Sequence, residues 1–129
     1  MTDLKHSEIT GEIIRSFYQV YNSLGYGFLE KVYENALKFE LQKTGIHVRQ
    51  QPKLPVFYEG QRVGIYYPDL WVEEQLIVEI KACVGLAQEH EQKVVHYLAA
   101  TGIDHGLLIN FGAKVQIKRK FREYRPREL

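Results

Sequence analysis

Apolar residues recur every three or four positions through the first third of the chain, which is the spacing of one face of an α-helix. In the first such stretch they are Ile9, Ile13, Phe17, Val20 and Leu24. The pattern predicts a helix over residues 8–24, which the sequence Gly25-Tyr26-Gly27 ends. A second helix is predicted over residues 29–44, with Gly45 as its carboxyl-terminal stop.

The spacing changes to that of β-strands after Gly45. Residues 56–58 and 62–65 flank a polar turn at 59–61, which is typical of a β-hairpin. Residues 69–72 continue as a strand, and a second polar turn at 73–75 separates them from an almost wholly apolar run at 76–82. Such a run predicts a strand that is buried on both faces, in the centre of a sheet.

The last third of the chain predicts one helix and two strands. The helix covers residues 86–100 and ends at Gly102, strand 105–111 is buried, and strand 115–121 alternates like an edge strand. The predicted order is α-α-β-β-β-α-β-β, and the passage over residues 76–111 implies a right-handed crossover between two parallel strands. We therefore expect an α/β (α+β) fold, with a central mixed sheet of four to five strands flanked by helices, in one domain over residues 1–129.

The composition is that of a soluble globular protein. The chain has 129 residues, of which 45% are hydrophobic and 26% are charged. No run approaches the roughly 20 apolar residues that a membrane span requires, and residues 1–6 do not resemble a signal peptide. Cys83 is the single cysteine, so no intramolecular disulfide can form. These features predict a cytoplasmic protein with no membrane partner.

The formal net charge of +1 conceals an asymmetry. From Lys114 onward there are seven basic and two acidic residues, a net +5, which leaves −4 for the rest of the chain. A basic tail on a mildly acidic body could follow a phosphate backbone. The alternative, which charge alone favours, is a solvated terminal strand and tail.

Two short motifs suggest a metal site. Pro68-Asp69 and Glu79-Ile80-Lys81 lie on consecutive predicted strands, and side chains alternate along a strand, so Glu79 and Lys81 project from one face. If Asp69 faces the same way, the two carboxylates, the backbone carbonyl of Ile80 and waters supply the oxygen ligands that Mg²⁺ or Mn²⁺ prefers. Such a cation lowers the pKa of a bound water and neutralises a phosphate, and Lys81 could orient that water or stabilise the transition state.

The alternative interpretation of Glu79 and Lys81 is an ordinary ion pair, because Glu-x-Lys alone is common by chance. The apolar run around the motif disfavours this alternative, since unpaired buried charges are costly. Glu30 is a candidate third acid, because it begins the second helix and shares a face with Tyr33. Its alternative role is the favourable placement of an acid in the first turn of a helix, and Glu34 fits that alternative better.

The same residues carry a resemblance to a known family. The GxxExxY family signature is similar to Gly27-Phe28-Leu29-Glu30-Lys31-Val32-Tyr33. The core of the PD-(D/E)XK nuclease superfamily, to which that family belongs, is similar to Asp69 and Glu79-x-Lys81, and its late strand resembles residues 106–112. The resemblance implies a restriction-endonuclease-like core with a Mg²⁺ or Mn²⁺ site. It also implies metal ligation by Asp69 and Glu79, a catalytic role for Lys81, and contact of Glu30 with the metal directly or through water.

Many nucleases of that superfamily carry Gln-x-x-x-Tyr on the helix after the lysine. Here Tyr97 occupies the tyrosine place, whereas Lys93 replaces the glutamine. The candidate nucleic-acid contacts are Lys93, Tyr97, Lys118, Lys120 and Arg122. The aromatic residues of the predicted strands could stack on bases, but packing within the fold is the favoured interpretation for Phe57, Tyr58, Tyr66, Tyr67 and Trp71.

Three functions are consistent with the sequence. The first is a Mg²⁺- or Mn²⁺-dependent nuclease acting on DNA in preference to RNA. The second is a catalytically idle module of the same fold that binds nucleic acid or a protein partner. The third is hydrolysis of another phosphate ester, because a fold does not fix a substrate. The sequence is also compatible with a protein that forms a homodimer.

Overall fold

The computed structural model describes residues 6–123, which form three helices and seven strands. The helices are α1 (His6–Leu24), α2 (Glu30–Lys43) and α3 (Gln88–Thr101). The strands are β1 (Val48–Gln50), β2 (Leu54–Tyr58), β3 (Gln61–Tyr66), β4 (Leu70–Val72), β5 (Leu76–Lys81), β6 (His105–Asn110) and β7 (Gln116–Phe121).

Five of the strands form a mixed sheet in the order β1-β4-β5-β6-β7. Strands β5 and β6 are parallel, and the other neighbours are antiparallel. Strand β5 lies at the centre with residues Leu76 to Ile80 buried, and β7 lies at an edge, both as predicted from the sequence. Helix α3 connects the parallel pair, so the predicted strand–helix–strand passage is confirmed.

Helices cover both faces of this sheet. Alternate side chains of β5 face opposite sides of the sheet. Val78 and Ile80 pack with α1 and α2, whereas Ile77 packs with α3. The α1–α2 side holds the larger core, which includes the stacked rings of Tyr33 and Phe111. The side chains of Glu79 and Lys81 share the register of Ile77 and therefore belong to the α3 side of the sheet.

The expected mixed sheet flanked by helices is confirmed, and the structure adds detail. Strand β1 extends the sheet by pairing with β4, although its three residues give no recognisable pattern. Strands β2 and β3 form a separate two-stranded sheet instead of leading into β4. Their two-residue turn has positive φ at both Glu59 and Gly60, as a right-handed twisted hairpin requires.

The aromatic residues of this region divide into two groups. Tyr66 and Trp71 pack against the α3-side core, as predicted. The prediction is wrong for Phe57, Tyr58 and Tyr67, which are 59%, 66% and 50% exposed. Strand β2 contacts α3, whereas most side chains of the hairpin stay at least partly exposed. Within residues 6–123, no helix is long and apolar enough to cross a membrane.

Candidate active site

The structure joins Asp69 and Glu79 at one end of the central strand. Leu70 of β4 pairs with Val78 of β5, and this antiparallel register brings the residue before β4 opposite Glu79. The backbone N–H of Asp69 donates to Oε1 of Glu79 at 3.0 Å, and the N–H of Ile80 donates to Oδ2 of Asp69 at 2.7 Å. Each carboxylate is therefore held by backbone of the neighbouring strand, at the carboxyl end of β5.

Burial makes this pair electrostatically unfavourable when both groups are ionised. Burial raises the pKa of Asp69 to about 6, against a lowering effect of the hydrogen bond from Ile80. Burial, followed by the charge of Asp69, raises the pKa of Glu79 to about 8. Two neighbouring carboxylates removed from water favour retention of a proton by the pair. A bound cation would remove this preference by neutralising both charges.

Glu34 of α2 is a third acid at the same place. Only 4% of this residue is exposed, and its carboxylate accepts hydrogen bonds from Lys31 (2.9 Å), Gln50 and Gln51 (3.1 Å). Burial raises the pKa of Glu34, but these hydrogen bonds outweigh it and leave the pKa below its ordinary value. Glu34 in turn raises the pKa of Asp69 through its charge, so the two carboxylates are close.

Gln51 connects these acids. Its side-chain amide donates to Glu34 and also, at 3.3 Å, to Oδ1 of Asp69, while its backbone N–H donates to the carbonyl of Asp69 at 2.9 Å. Gln51 has a φ of 49°, in the left-handed region that non-glycine residues seldom adopt. Strain of this kind persists where surrounding contacts require it, and here those contacts are with two acids of the candidate site.

The structure brings to this place an acid of α2 that sequence reasoning did not include in the site. Glu34 was expected to be an acid of the first helical turn, but Glu30 occupies that turn and Glu34 lies one turn later and is buried. Glu30 is exposed, and it reaches the pair only through a repulsive charge effect on Asp69. The seven-residue spacing from Glu34 to Leu41 on the buried side of α2 could have revealed that Glu34 faces inward.

Lys81 and Lys93 bring positive charge to the site. Both lower the pKa of Glu79, in opposition to burial. Lys81 ends β5 on the same face as Glu79 and is partly buried. Lys93 extends from α3, with its ammonium group 5.6 Å from the centre of the Tyr97 ring. The structure therefore brings Lys93 and Tyr97, the two candidate nucleic-acid contacts on α3, towards the carboxylates.

The predicted basic contacts on and just after β7 are separated from β5 by strand β6, and two of them form ion pairs. Lys120 forms an ion pair with Glu91 of α3, and Arg122 forms one with Asp104 at 2.8 Å. Lys118 is exposed. Two further cations of the predicted tail, at positions 125 and 127, lie outside the described residues.

The residues present fit a cation of the magnesium type. Among residues 6–123, no three His, Cys, Asp or Glu side chains form a ready-made metal cage. Magnesium and manganese do not need one, because they commonly take one or two protein carboxylates and keep several waters. Asp69 and Glu79 supply two such ligands. The N–H of Ile80 is used by Asp69, whereas metal binding by the Ile80 carbonyl stays a prediction.

Comparison with known proteins identifies the family. The model of the PD-(D/E)XK nuclease superfamily matches residues 7–122, so the chain belongs to that superfamily. Nucleases of this superfamily generally use divalent metals. A search of curated proteins gave no match.

Solved structures show the same fold. The crystal structure of SSO0001 is similar with a TM-score of 0.56 and 16% sequence identity, over 92% of this chain and 60% of that one. The alkaline exonuclease LHK-Exo from Laribacter hongkongensis is similar with a TM-score of 0.54 and 13% identity, over 95% of this chain and 73% of that one. This chain therefore spans about three fifths of SSO0001 and about three quarters of the exonuclease.

Proposed function

We propose that this protein is a divalent-metal-dependent nuclease that hydrolyses phosphodiester bonds, in DNA in preference to RNA. The observation that carries the proposal is the convergence of Asp69 and Glu79 on adjacent strands, each fixed by a backbone N–H of the other strand. Two buried acids in this arrangement destabilise the metal-free protein unless a cation or a proton joins them. Membership of the nuclease superfamily supports the same conclusion.

Each side chain has a distinct role in this proposal. Asp69 and Glu79 hold Mg²⁺ or Mn²⁺, which when bound supplies an acidic water and neutralises the phosphate. Glu34 completes the negative field beside Asp69, and Glu30 contacts the metal shell through water. Lys81 faces the same side as Glu79, where its ammonium group orients the attacking water or stabilises the extra charge of the transition state. Lys93 stays charged and meets the phosphate.

We also propose that the chain is a member of the GxxExxY family. The signature has a structural basis, because the hydroxyl of buried Tyr33 donates to the carbonyl of Gly25 at 2.6 Å and accepts from the N–H of Phe28 at 3.2 Å. Gly27 lies between them with a φ of 112°, which a side chain would make costly. Glycine and tyrosine thus shape the turn that starts α2, and α2 carries both Glu30 and Glu34.

The test is cleavage of single-stranded, double-stranded and branched DNA, and of RNA, with Mg²⁺, Mn²⁺ or EDTA. We expect cleavage only with a divalent cation, and its loss in Asp69→Asn, Glu79→Gln and Lys81→Met. Asp104→Asn is the matched control, because Asp104 is exposed and lies before β6, at the opposite end of the sheet. Circular dichroism should show that every variant is folded.

Two outcomes would contradict the proposal. Cleavage in EDTA would exclude the metal mechanism, and wild-type activity in all three site variants would exclude the site. Calorimetric titration with Mn²⁺ separates the remaining case. Binding that depends on Asp69 and Glu79, without cleavage of any polynucleotide, would instead assign the fold to a metal-binding module that has no nuclease activity.

A further inference from the structure

A small apolar cleft opens at the carboxyl ends of the two parallel strands. It has a volume of about 270 Å³ and lies between the α1–α2 loop and the loops that follow β5 and β6. Its lining includes Tyr26, Cys83, Val84, Phe111 and Gly112, and no charged residue of the described chain contributes to it. Ligands of sheets with parallel strands commonly bind outside these strand ends.

Large apolar side chains at the rim of the cleft are exposed to water. Tyr26 is 65% exposed and Val84 is 91% exposed, and they approach the cleft from opposite loops. Phe28 and Leu29, next along the first loop, are 49% and 80% exposed. Single exposed apolar residues are ordinary, but a group of them around a cleft marks an interaction site.

The floor of the cleft is rigid. A Cβ atom at Gly112 would overlap the carbonyl oxygen of Cys83, so the loops after β5 and β6 touch through backbone. The side chain of Asn110 ties them together, because it accepts from the N–H of Cys83 at 3.0 Å and donates to its carbonyl at 3.0 Å. Tyr21 of α1 donates to the carbonyl of Gly112 at 2.9 Å. The cleft is therefore formed before any ligand arrives.

Two of the loops that line the cleft are next in sequence to elements of the candidate active site. Cys83 is two residues beyond Lys81, which corresponds to roughly 7 Å of extended chain. Tyr26 is four residues before Glu30, across the short turn that Tyr33 closes. The cleft and the carboxylates are therefore built from segments that are neighbours in the chain, at the carboxyl end of β5.

We propose that this cleft binds one nucleobase of an unpaired strand, stacked on Tyr26, next to the phosphodiester that is cleaved. The proposal rests on the nuclease function proposed above and names the form of its substrate. An uncharged, apolar cleft beside an acidic site suits the flat, uncharged part of a nucleotide and not its phosphate. In a duplex the base faces are already stacked, so the base must come from a single strand or an unpaired end.

The size of the cleft argues for a base and against a protein partner. A specific protein interface buries about 800 Å² on each side, whereas this cleft and its rim involve a few side chains. Base–aromatic stacking needs only one ring and is worth about 1–3 kcal/mol per base. The proposed occupant of the cleft is therefore a nucleobase, and a preference of the protein for duplex DNA would overturn this proposal.

The experiment compares Tyr26→Ala with Tyr58→Ala in binding to a fluorescent 24-nucleotide single strand in Ca²⁺, with no cleaving metal. Tyr58 is the matched control, because it is 66% exposed and lies on the β2–β3 hairpin, which contributes no residue to the lining of the cleft. We expect Tyr26→Ala to weaken binding by roughly 5- to 150-fold, as the stacking free energy implies. Tyr26→Phe should restore it, since the ring face remains, and duplex binding should change little.

The outcomes separate this inference from the proposed function. Equal effects of the Tyr26 and Tyr58 variants, or tighter binding and faster cleavage of blunt duplex, would overturn the inference while the nuclease function remains. Binding by neither strand form, with no metal-dependent cleavage, would overturn both. Mn²⁺ titration of Tyr26→Ala should match the wild type, because Tyr26 is not one of the proposed metal ligands, and a lost metal site would contradict a role in stacking.

Discussion

Replacing Glu79 by Gln should make the metal-free protein more stable at pH 8, and the gain should diminish as the pH falls. Glu79 is 6% exposed, and burial together with the charge of Asp69 raises its pKa to about 8. An amide has the same shape and can still accept the hydrogen bond from the N–H of Asp69. It carries no charge, so its burial meets no repulsion from Asp69 and a smaller desolvation cost than that of a carboxylate.

The direction and size of this effect follow from the pKa shift. A carboxyl group whose pKa is raised on folding contributes stability below its unfolded-state pKa, and this contribution is lost as the pH rises through the folded-state pKa. For Glu79 the window extends from 4.5 to about 8. Since one pKa unit corresponds to about 1.4 kcal/mol, the wild type should lose on the order of 4 kcal/mol relative to the variant across this window. Asp69, whose pKa is also raised, is present in both proteins.

The assay is urea unfolding in EDTA between pH 5 and pH 8, followed by the fluorescence of Trp71, the single tryptophan. The difference between wild type and variant removes the contributions of the histidines. Glu89→Gln, which changes an exposed acid at the start of α3, should give a difference that does not vary with pH. A constant difference for Glu79→Gln, or a less stable variant at pH 8, would refute the reasoning.

Metal should reduce the stability difference between the wild type and Glu79→Gln at pH 8. A cation binds the ionised carboxylates of the wild type, so Mn²⁺ at 100 times its dissociation constant adds about 2.7 kcal/mol to the free energy of unfolding. Glu79→Gln lacks one of the two carboxylates and should gain much less. Equal stabilisation of both proteins by Mn²⁺ would show that the metal binds elsewhere.

Three further changes test the surroundings of the site. Glu34→Gln should weaken Mn²⁺ binding by about tenfold or more in calorimetric titration, because it removes the charge beside Asp69; unchanged affinity would remove Glu34 from the site. Gln51→Ala removes the amide that bridges the two acids, and urea unfolding should show a loss of roughly 1–3 kcal/mol; no loss would contradict the bridge. Gly112→Ala should cost about 1–3 kcal/mol or more in thermal unfolding, whereas Gly64→Ala, with open space at its Cβ, should not clash; equal effects would refute the backbone contact.

The pairing of Asp69 with Glu79 could be predicted because it depends on local pattern. The polar turn at 73–75 joins two segments of the right length, and strand alternation then fixes which side chains share a face. The same logic placed β5 in the centre of the sheet, since an apolar run without alternation requires cover on both faces. In each case neighbouring residues in the sequence decide the structure.

The role of Glu34 could not be predicted in this way, because its environment is built from a distant segment. Gln50 and Gln51 reach Glu34 only after β1 has paired with β4, and β1 is three residues long with no hydrophobic alternation. The positive φ of Gln51 is also invisible in the sequence, since glutamine does not signal a left-handed conformation as glycine does. Helical spacing shows that Glu34 faces inward, but not what it meets.

The cost of burying the carboxylates of Asp69 and Glu79 is itself an argument for a cationic ligand. Burial raises the pKa values of Asp69 and Glu79. Burial also acts to raise the pKa of Glu34, but hydrogen bonds from Lys31, Gln50 and Gln51 outweigh it. Elsewhere β5 and β6 are covered by apolar side chains on both faces, so the fold has no need of buried charge for its core. Amides at positions 69 and 79 would suit the metal-free fold better than carboxylates do. The unfavourable charges are concentrated at one strand end, beside Lys81, and a cation that bridges them there would convert this cost into binding free energy.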